Sequence, residues 1–234
     1  MAGLWFGPFA EITTLNRRFV PGRTRLKLTI DLNLEERAPG ATPALFMASL
    51  QRLLPNLTRH NCCGHGRIEE TFFTGDRRPA CAPDDVDDAV DIAHLLEHLI
   101  IDFQHGIADM RVCSGITCGH RTPITRYDLF VETPDERIGR VCVALACDLM
   151  NRLLRGAEPD PASAMTLKLA RHIYRASGAS FTPEQTAGAL GDRDSARDAL
   201  LTLLKHGFVR ENTMAINFSR VPLYVFNAIE QVRS

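Results

Sequence analysis

No apolar run in this chain of 234 residues reaches the ~18 that a membrane-spanning helix needs. The best candidate, 95–103, is interrupted by Glu97, His98 and Asp102, so no membrane partner is expected. The opening MAGLWFGPFAEITT has neither a basic stretch nor a long apolar core, and so predicts no secretory signal. Two catalytic signatures are also missing. There is no G-x-S-x-G elbow for a serine nucleophile and no G-x-x-x-x-G-K-[ST] phosphate loop. Nor does one sign of charge dominate. The 27 basic and 28 acidic residues leave a net charge of −1, which advertises neither nucleic acid nor an anionic surface as a partner. Seven cysteines, an odd number in a chain of this length, do not read as a disulfide framework and fit a cytoplasmic protein.

What is present is an ordinary globular composition, 45% hydrophobic and 24% charged. Residues 24–35 alternate. Leu26, Leu28, Ile30, Leu32 and Leu34 share one face, and Arg25, Lys27, Thr29, Asp31 and Asn33 share the other. That pattern predicts a long strand with one buried face. A helix is expected over 43–54, closed by Pro55. A short strand is expected at 68–74, and a helix over about 85–105 behind the acidic cluster Asp84, Asp85, Asp87 and Asp88. Strands at 108–113 and 127–132 and a helix over 135–154 follow. AEPDPAS at 157–163 reads as a linker. Beyond it the pattern predicts helices at 164–176, 183–190 and 194–206, the last closed by Gly207, then short strands at 208–210, 214–218 and 223–226. Three helices and a β-ribbon is the order of a winged helix. The expected architecture is therefore α+β, an antiparallel sheet with packed helices over 1–156, plus a small winged-helix-like domain over 164–234.

The helix over 85–105 carries His94-Leu-Leu-Glu97-His98. On a helical wheel His94, Glu97, His98, Ile101 and His105 fall within a sector of roughly 100°, opposite the bulky apolar residues. Histidines four apart can share one metal ion. The intervening glutamate can take a proton from water beside it. H-x-x-E-H is the inverse of the zinc-protease motif H-E-x-x-H. Zinc suits neutral imidazole, and a catalytic site needs a third protein ligand. Glu132, at the end of the run Tyr127-Asp-Leu-Phe-Val-Glu132, is the first choice, with His120, Cys118 and His65 as rivals. The bland reading is a solvated polar helix face, which has the same wheel.

Several segments in order resemble the N-terminal domain of cyanophycin synthetases. They are Ile30-Asp-Leu-Asn-Leu-Glu-Glu36, Leu53-Leu-Pro-Asn-Leu-Thr-Arg-His-Asn-Cys62, His94 to His98 continuing to Asp102-Phe-Gln104, and Tyr127 to Glu132 followed by Glu136-Arg-Ile-Gly139. The resemblance covers about residues 1–155. It implies an α+β domain, some members of which carry a metal-dependent endopeptidase site on this helix. By that resemblance His94 and His98 match the metal ligands, Glu97 the catalytic acid/base and Glu132 the third ligand. Full synthetases continue into ATP-grasp and Mur-ligase-like domains, which this sequence does not contain, so ATP-driven ligation is not expected of it. Thr74-Gly-Asp-Arg-Arg-Pro79 also replaces a glycine-rich signature before the helix.

Other signals are weaker. His60-Asn-Cys62-Cys63-Gly-His65 is rich in ligand types but lacks a second pair at zinc-knuckle spacing. His60 and Cys62 are read as lining or supporting the cleft. Cys142 and Cys147 read as buried small hydrophobes. Residues 157–234 hold nine Lys/Arg and eight Asp/Glu, too balanced for a DNA-binding tail. The expectation is a cytoplasmic Zn2+-dependent hydrolase acting on a peptide or isopeptide-like amide, with a tail that docks or supports a homo-oligomer. The competing expectation is a non-catalytic binding module or winged-helix regulator that retains the fold.

Overall fold

The alternating run at 24–35 forms strand β2, Arg25–Asp31, and its leucines lie at the centre of the buried core. The computed structural model describes residues 3–33, 38, 49–51, 53–54, 56–57, 61–62, 66–67, 84–110, 112–176, 180–211 and 224–225. β1, Gly3–Gly7, pairs antiparallel with one edge of β2, and a short 3-10 helix, Ala10–Thr14, follows it. Asn61–Cys62 and Gly66–Arg67 form a two-stranded ribbon, β3 and β4. β6, Arg126–Glu132, pairs with the other edge of β2, and β5, Gly115–Gly119, pairs with β6. The resulting antiparallel sheet has the order β1-β2-β6-β5.

Helix α1, Asp84–Ala108, packs on this sheet and against both α2, Glu136–Leu154, and α3, Pro161–Arg175. The side chains of residues 92–104 are buried except for half-buried His94. This differs from a one-sided amphipathic helix. The apolar face of α1 joins the core, while β5 covers the polar face.

α1 runs to Ala108, and no strand occupies 108–110 or 112–113, where alternation had suggested one. Asp109 takes a left-handed conformation, φ 49°, just past the helix end, a position that usually closes helices. The strand comes later, at Gly-Ile-Thr-Cys-Gly, whose two glycines give a poor strand signal. The helix expected over 43–54 is seen at residues 49–51 and 53. The strand expected at 68–74 and that at 214–218 lie outside the described residues, as do His60, Cys63 and His65.

α2 starts where Asp135 accepts a hydrogen bond from the Arg137 backbone N–H at 2.8 Å. α3 begins at Pro161 behind its cap Asp160, inside the stretch that reads as a linker. β7, Ser180–Phe181, precedes α4, Pro183–Leu190, which opens on a Thr182–Gln185 capping box. α5, Arg193–Lys205, is followed by β8, Arg210–Glu211, and β9, Tyr224–Val225. β9 lies between β7 and β8. The apolar core is continuous from Leu26 and Leu28 of the sheet through α1 and α2 to Leu169, Ile173, Leu200 and Leu203 of the tail. Among the described residues no helix is long and apolar enough to cross a membrane.

Candidate functional site

The sheet has two differently furnished faces. Side-chain alternation turns Leu26, Leu28, Leu129 and Val131 into the core beneath α1, and turns Lys27, Asp128 and Phe130 to the other side. On the α1 side, His94 and His98 are brought together as their spacing requires. Their Nε2 atoms lie 3.1 Å apart, with ring centroids 4.8 Å apart and planes inclined by 51°. Glu97 lies on the same polar face, 4% exposed. Its Oε2 accepts a hydrogen bond from Thr117 Oγ1 of β5 at 2.5 Å. Burial raises its carboxyl from 4.5 to about 7, and the Thr117 hydrogen bond offsets part of that rise.

Thr117 and Gly115 are neighbours of Glu97 that sequence reading missed. A Cβ placed on Gly115 would stand 2.5 Å from Glu97 Oε1, so the missing side chain is what leaves room for the carboxylate. No motif marks G-I-T-C-G for this role. The signal is the register of β5 against α1, which only the folded chain displays.

Glu132 is placed elsewhere. The alternation that points Val131 at α1 points Glu132 to the opposite face, where it stands across from Arg25. Its Oε1 accepts from the Val20 N–H at 2.5 Å and its Oε2 from the Ser114 N–H at 3.1 Å. Arg23 Nη1 approaches Oε2 at 3.5 Å. The carboxylate thus ties the segment around Val20 and the approach to β5 onto the sheet. Arg25, also fully buried, donates to the carbonyls of Pro8 and Val20 and lies over the Phe19 ring. The structure therefore does not gather Glu132 with the two histidines.

Two of its rivals, Cys118 and His120, are also engaged elsewhere. Cys118 points to the second face and packs with Phe9, Ile12, Phe19 and Phe130. His120 Nε2 lies 3.2 Å from Asp128 Oδ2. Among the described residues no cluster of three or more His, Cys, Asp or Glu side chains could hold a metal ion. Cys113 is no alternative nucleophile. Its Sγ donates to the Glu132 carbonyl at 3.3 Å, and burial, reinforced by the Glu132 and Glu97 carboxylates, drives its thiol far above the ordinary range. The Cys142 and Cys147 thiols are likewise pushed up, first by burial.

Two imidazoles and a carboxyl group on one helix face, pressed under a strand that supplies a hydroxyl, can bind a cation through the nitrogens and move a proton at the carboxyl group. The other face of the sheet is a structural clamp. No curated protein matches the chain. Residues 27–155, more than half of its length, match the model of the cyanophycin synthase-like N-terminal domain. The matched stretch contains most of β2 and all of α1, β5, β6 and α2, the frame of this site, and the chain belongs to that family.

Proposed function

We propose that the chain is a metal-dependent amide hydrolase acting on a peptide or isopeptide-like bond, with His94 and His98 as zinc ligands and Glu97 as the acid/base. The observation that carries this reading is the convergence of the two Nε2 atoms at 3.1 Å beside a buried carboxyl group. Two donors each 2.0–2.1 Å from one tetrahedral ion stand about 3.3–3.4 Å apart, so a small rotation of either ring suits zinc. A third donor would come from the remaining ligand-type side chains, His65 among them.

Zinc, when bound, supplies a Lewis acid for the scissile carbonyl and lowers the pKa of water. Glu97 receives the proton of the attacking water at Oε1 while Thr117 holds Oε2, and then passes it to the departing amine. A carboxyl group near neutrality serves both steps. β5 packs on the polar face of α1 at Glu97, while His98 is buried and His94 stays half-buried, open to an incoming substrate.

The free thiols of Cys113, Cys118, Cys142 and Cys147 support a cytoplasmic setting. In the tail, the order helix, strand, helix, helix, strand, strand, with the last strand central, supports a winged-helix reading. Helix α5 carries Arg193, Asp194, Arg197, Asp198 and Lys205, a mixed set that suits docking to the catalytic part or to a second copy better than DNA. The second reading, a binding module that keeps the fold without catalysis, draws on the absence of a third ligand among the described residues.

Elemental analysis of the purified chain, paired with a hydrolysis assay on peptide and isopeptide substrates, separates the two. One zinc per chain is expected, lost in His94→Ala and kept in Glu97→Gln, with hydrolysis abolished in both. A chain without metal and without activity supports the binding module instead.

A further inference from the structure

The outward face of α3 carries Lys168, Arg171, His172 and Arg175, which a helical wheel places within a sector of roughly 100°. The opposite face, with Leu169, Ala170 and Ile173, is buried in the core. The four polar side chains, with Ala189 of α4, line an open groove of about 220 Å³. One carboxylate already sits at its edge. Asp109, just past the end of α1, offers one oxygen to Arg171 Nη2 at 2.6 Å and the other to Arg175 Nη2. This ion pair shows that the two guanidinium groups can grip a bidentate oxyanion between them.

The charges do not balance. Lys168, Arg171 and Arg175 are three permanent cations on the groove wall, and Asp109 supplies one negative charge. Among the described residues no carboxylate pairs with Lys168. The groove therefore keeps an excess of two positive charges, with a histidine beside them. A second carboxylate would offset half of that excess. A phosphate monoester, which carries about −1.5 to −2 at pH 7, would offset nearly all of it. It would also present three acceptor oxygens to the Lys ammonium, the free guanidinium N–H groups and the imidazole.

We propose that this groove is a binding site for a phosphate monoester, seated between Lys168, His172 and the outer edges of Arg171 and Arg175, beside the Asp109 carboxylate. The site lies on the tail and is independent of the histidine pair on α1, so its fate does not depend on the hydrolase reading.

Calorimetric titration of the full chain at fixed ionic strength tests it, with inorganic phosphate, phenyl phosphate, acetate and a short single-stranded oligonucleotide as probes. One phosphate or phenyl phosphate per chain is expected, with acetate weaker by roughly tenfold or more because it carries half the charge. Lys168→Ala should weaken phosphate binding by roughly tenfold with little change in the melting temperature, since no ion pair among the described residues is lost. Arg171→Gln should weaken it too, and a shift in melting there would report the lost Asp109 contact separately. Phosphate affinity equal to that of acetate, or unchanged by Lys168→Ala, overturns the proposal, as does no binding at 20-fold excess over the ~1 mM scale of weak anion sites. Oligonucleotide binding that is much tighter than phenyl phosphate at physiological salt, with a steep salt slope, assigns the groove to a nucleic-acid backbone and overturns the monoester assignment.

Discussion

Two glutamates are buried on opposite faces of the same sheet, and their surroundings could hardly differ more. Glu132 accepts from two backbone N–H groups and faces Arg23. It holds in place the segment around Val20 and the approach to β5. Glu97 has the Thr117 hydroxyl and lies buried against Gly115, and its carboxyl rises to about 7. A carboxylate saturated with donors gains stability and gives up chemistry. One left with a single hydroxyl costs stability and keeps a mobile proton.

The largest effect that would sharpen this contrast comes from Glu132→Ala. It strands the Val20 and Ser114 N–H groups and leaves Arg23 and Arg25 without the facing charge, so a loss of roughly 3–5 kcal/mol is expected. Urea unfolding measures it. Zinc content should not change in the folded fraction. A variant of normal stability that has lost its metal would return Glu132 to the ligand set and break the comparison.

Glu97 should show the opposite signature. Its carboxyl is raised from 4.5 to about 7 in the folded chain. Between those values the folded state holds a proton that the unfolded state has released. Its contribution is therefore full below pH 4.5 and is lost as pH rises through about 7. The span corresponds to about 3 kcal/mol. In chelator-treated protein, wild-type stability should fall between pH 5 and pH 8 relative to Glu97→Gln. Parallel pH curves for the two proteins would show that Glu97 is as well compensated as Glu132.

Gly115→Ala should produce a smaller effect, about 1–3 kcal/mol, because the added methyl group must push Glu97 aside. Its effect on hydrolysis should exceed its effect on stability, since the carboxylate leaves its position beside Thr117. Thermal melting and a turnover assay run side by side would show the split, and an unaltered turnover number would remove β5 from the site. Asp109→Asn should have the smallest effect. The partner guanidinium of Arg175, followed by Arg171, holds the exposed Asp109 carboxyl below its ordinary range. Its contribution is present above pH 3.8 and fades as pH falls through the lowered folded value. The shift in melting midpoint should be slight at low salt and disappear in 1 M salt, where screening shortens to about 3 Å.

Much of this arrangement was legible in the sequence. The strand at β2 followed from its alternating Leu26, Leu28 and Ile30. The helix starts expected at 135, 183 and 194 fall within a residue of those observed, beside the caps Asp135, Thr182 and Asp192, because a cap is a contact between near neighbours. The convergence of His94 and His98 followed from i, i+4 spacing alone. The misplaced pieces share a different cause. Residues 129–131 are apolar without a break, so nothing in the run reveals which face α1 will cover, and Glu132 could be assigned to either. Gly115 and Thr117 had no local signal, since their importance lies in a neighbour some twenty residues earlier.

What the sequence determined by itself was therefore periodic and short-ranged: the helix, the three polar residues along one side of it, and the three helices of the tail, whereas β7 at Ser180–Phe181, two residues long, carried no periodic signal. The tertiary structure decided which polar groups meet. It pressed β5 onto the histidine face that periodicity alone would leave in solvent, sent the two glutamates to opposite sides of one sheet, and brought Asp109 to the arginines of α3. The physical reason is that a helix or strand pattern is written by residues within a turn or two of one another. Burial, desolvation and charge pairing depend instead on the register and packing of segments that are distant in sequence.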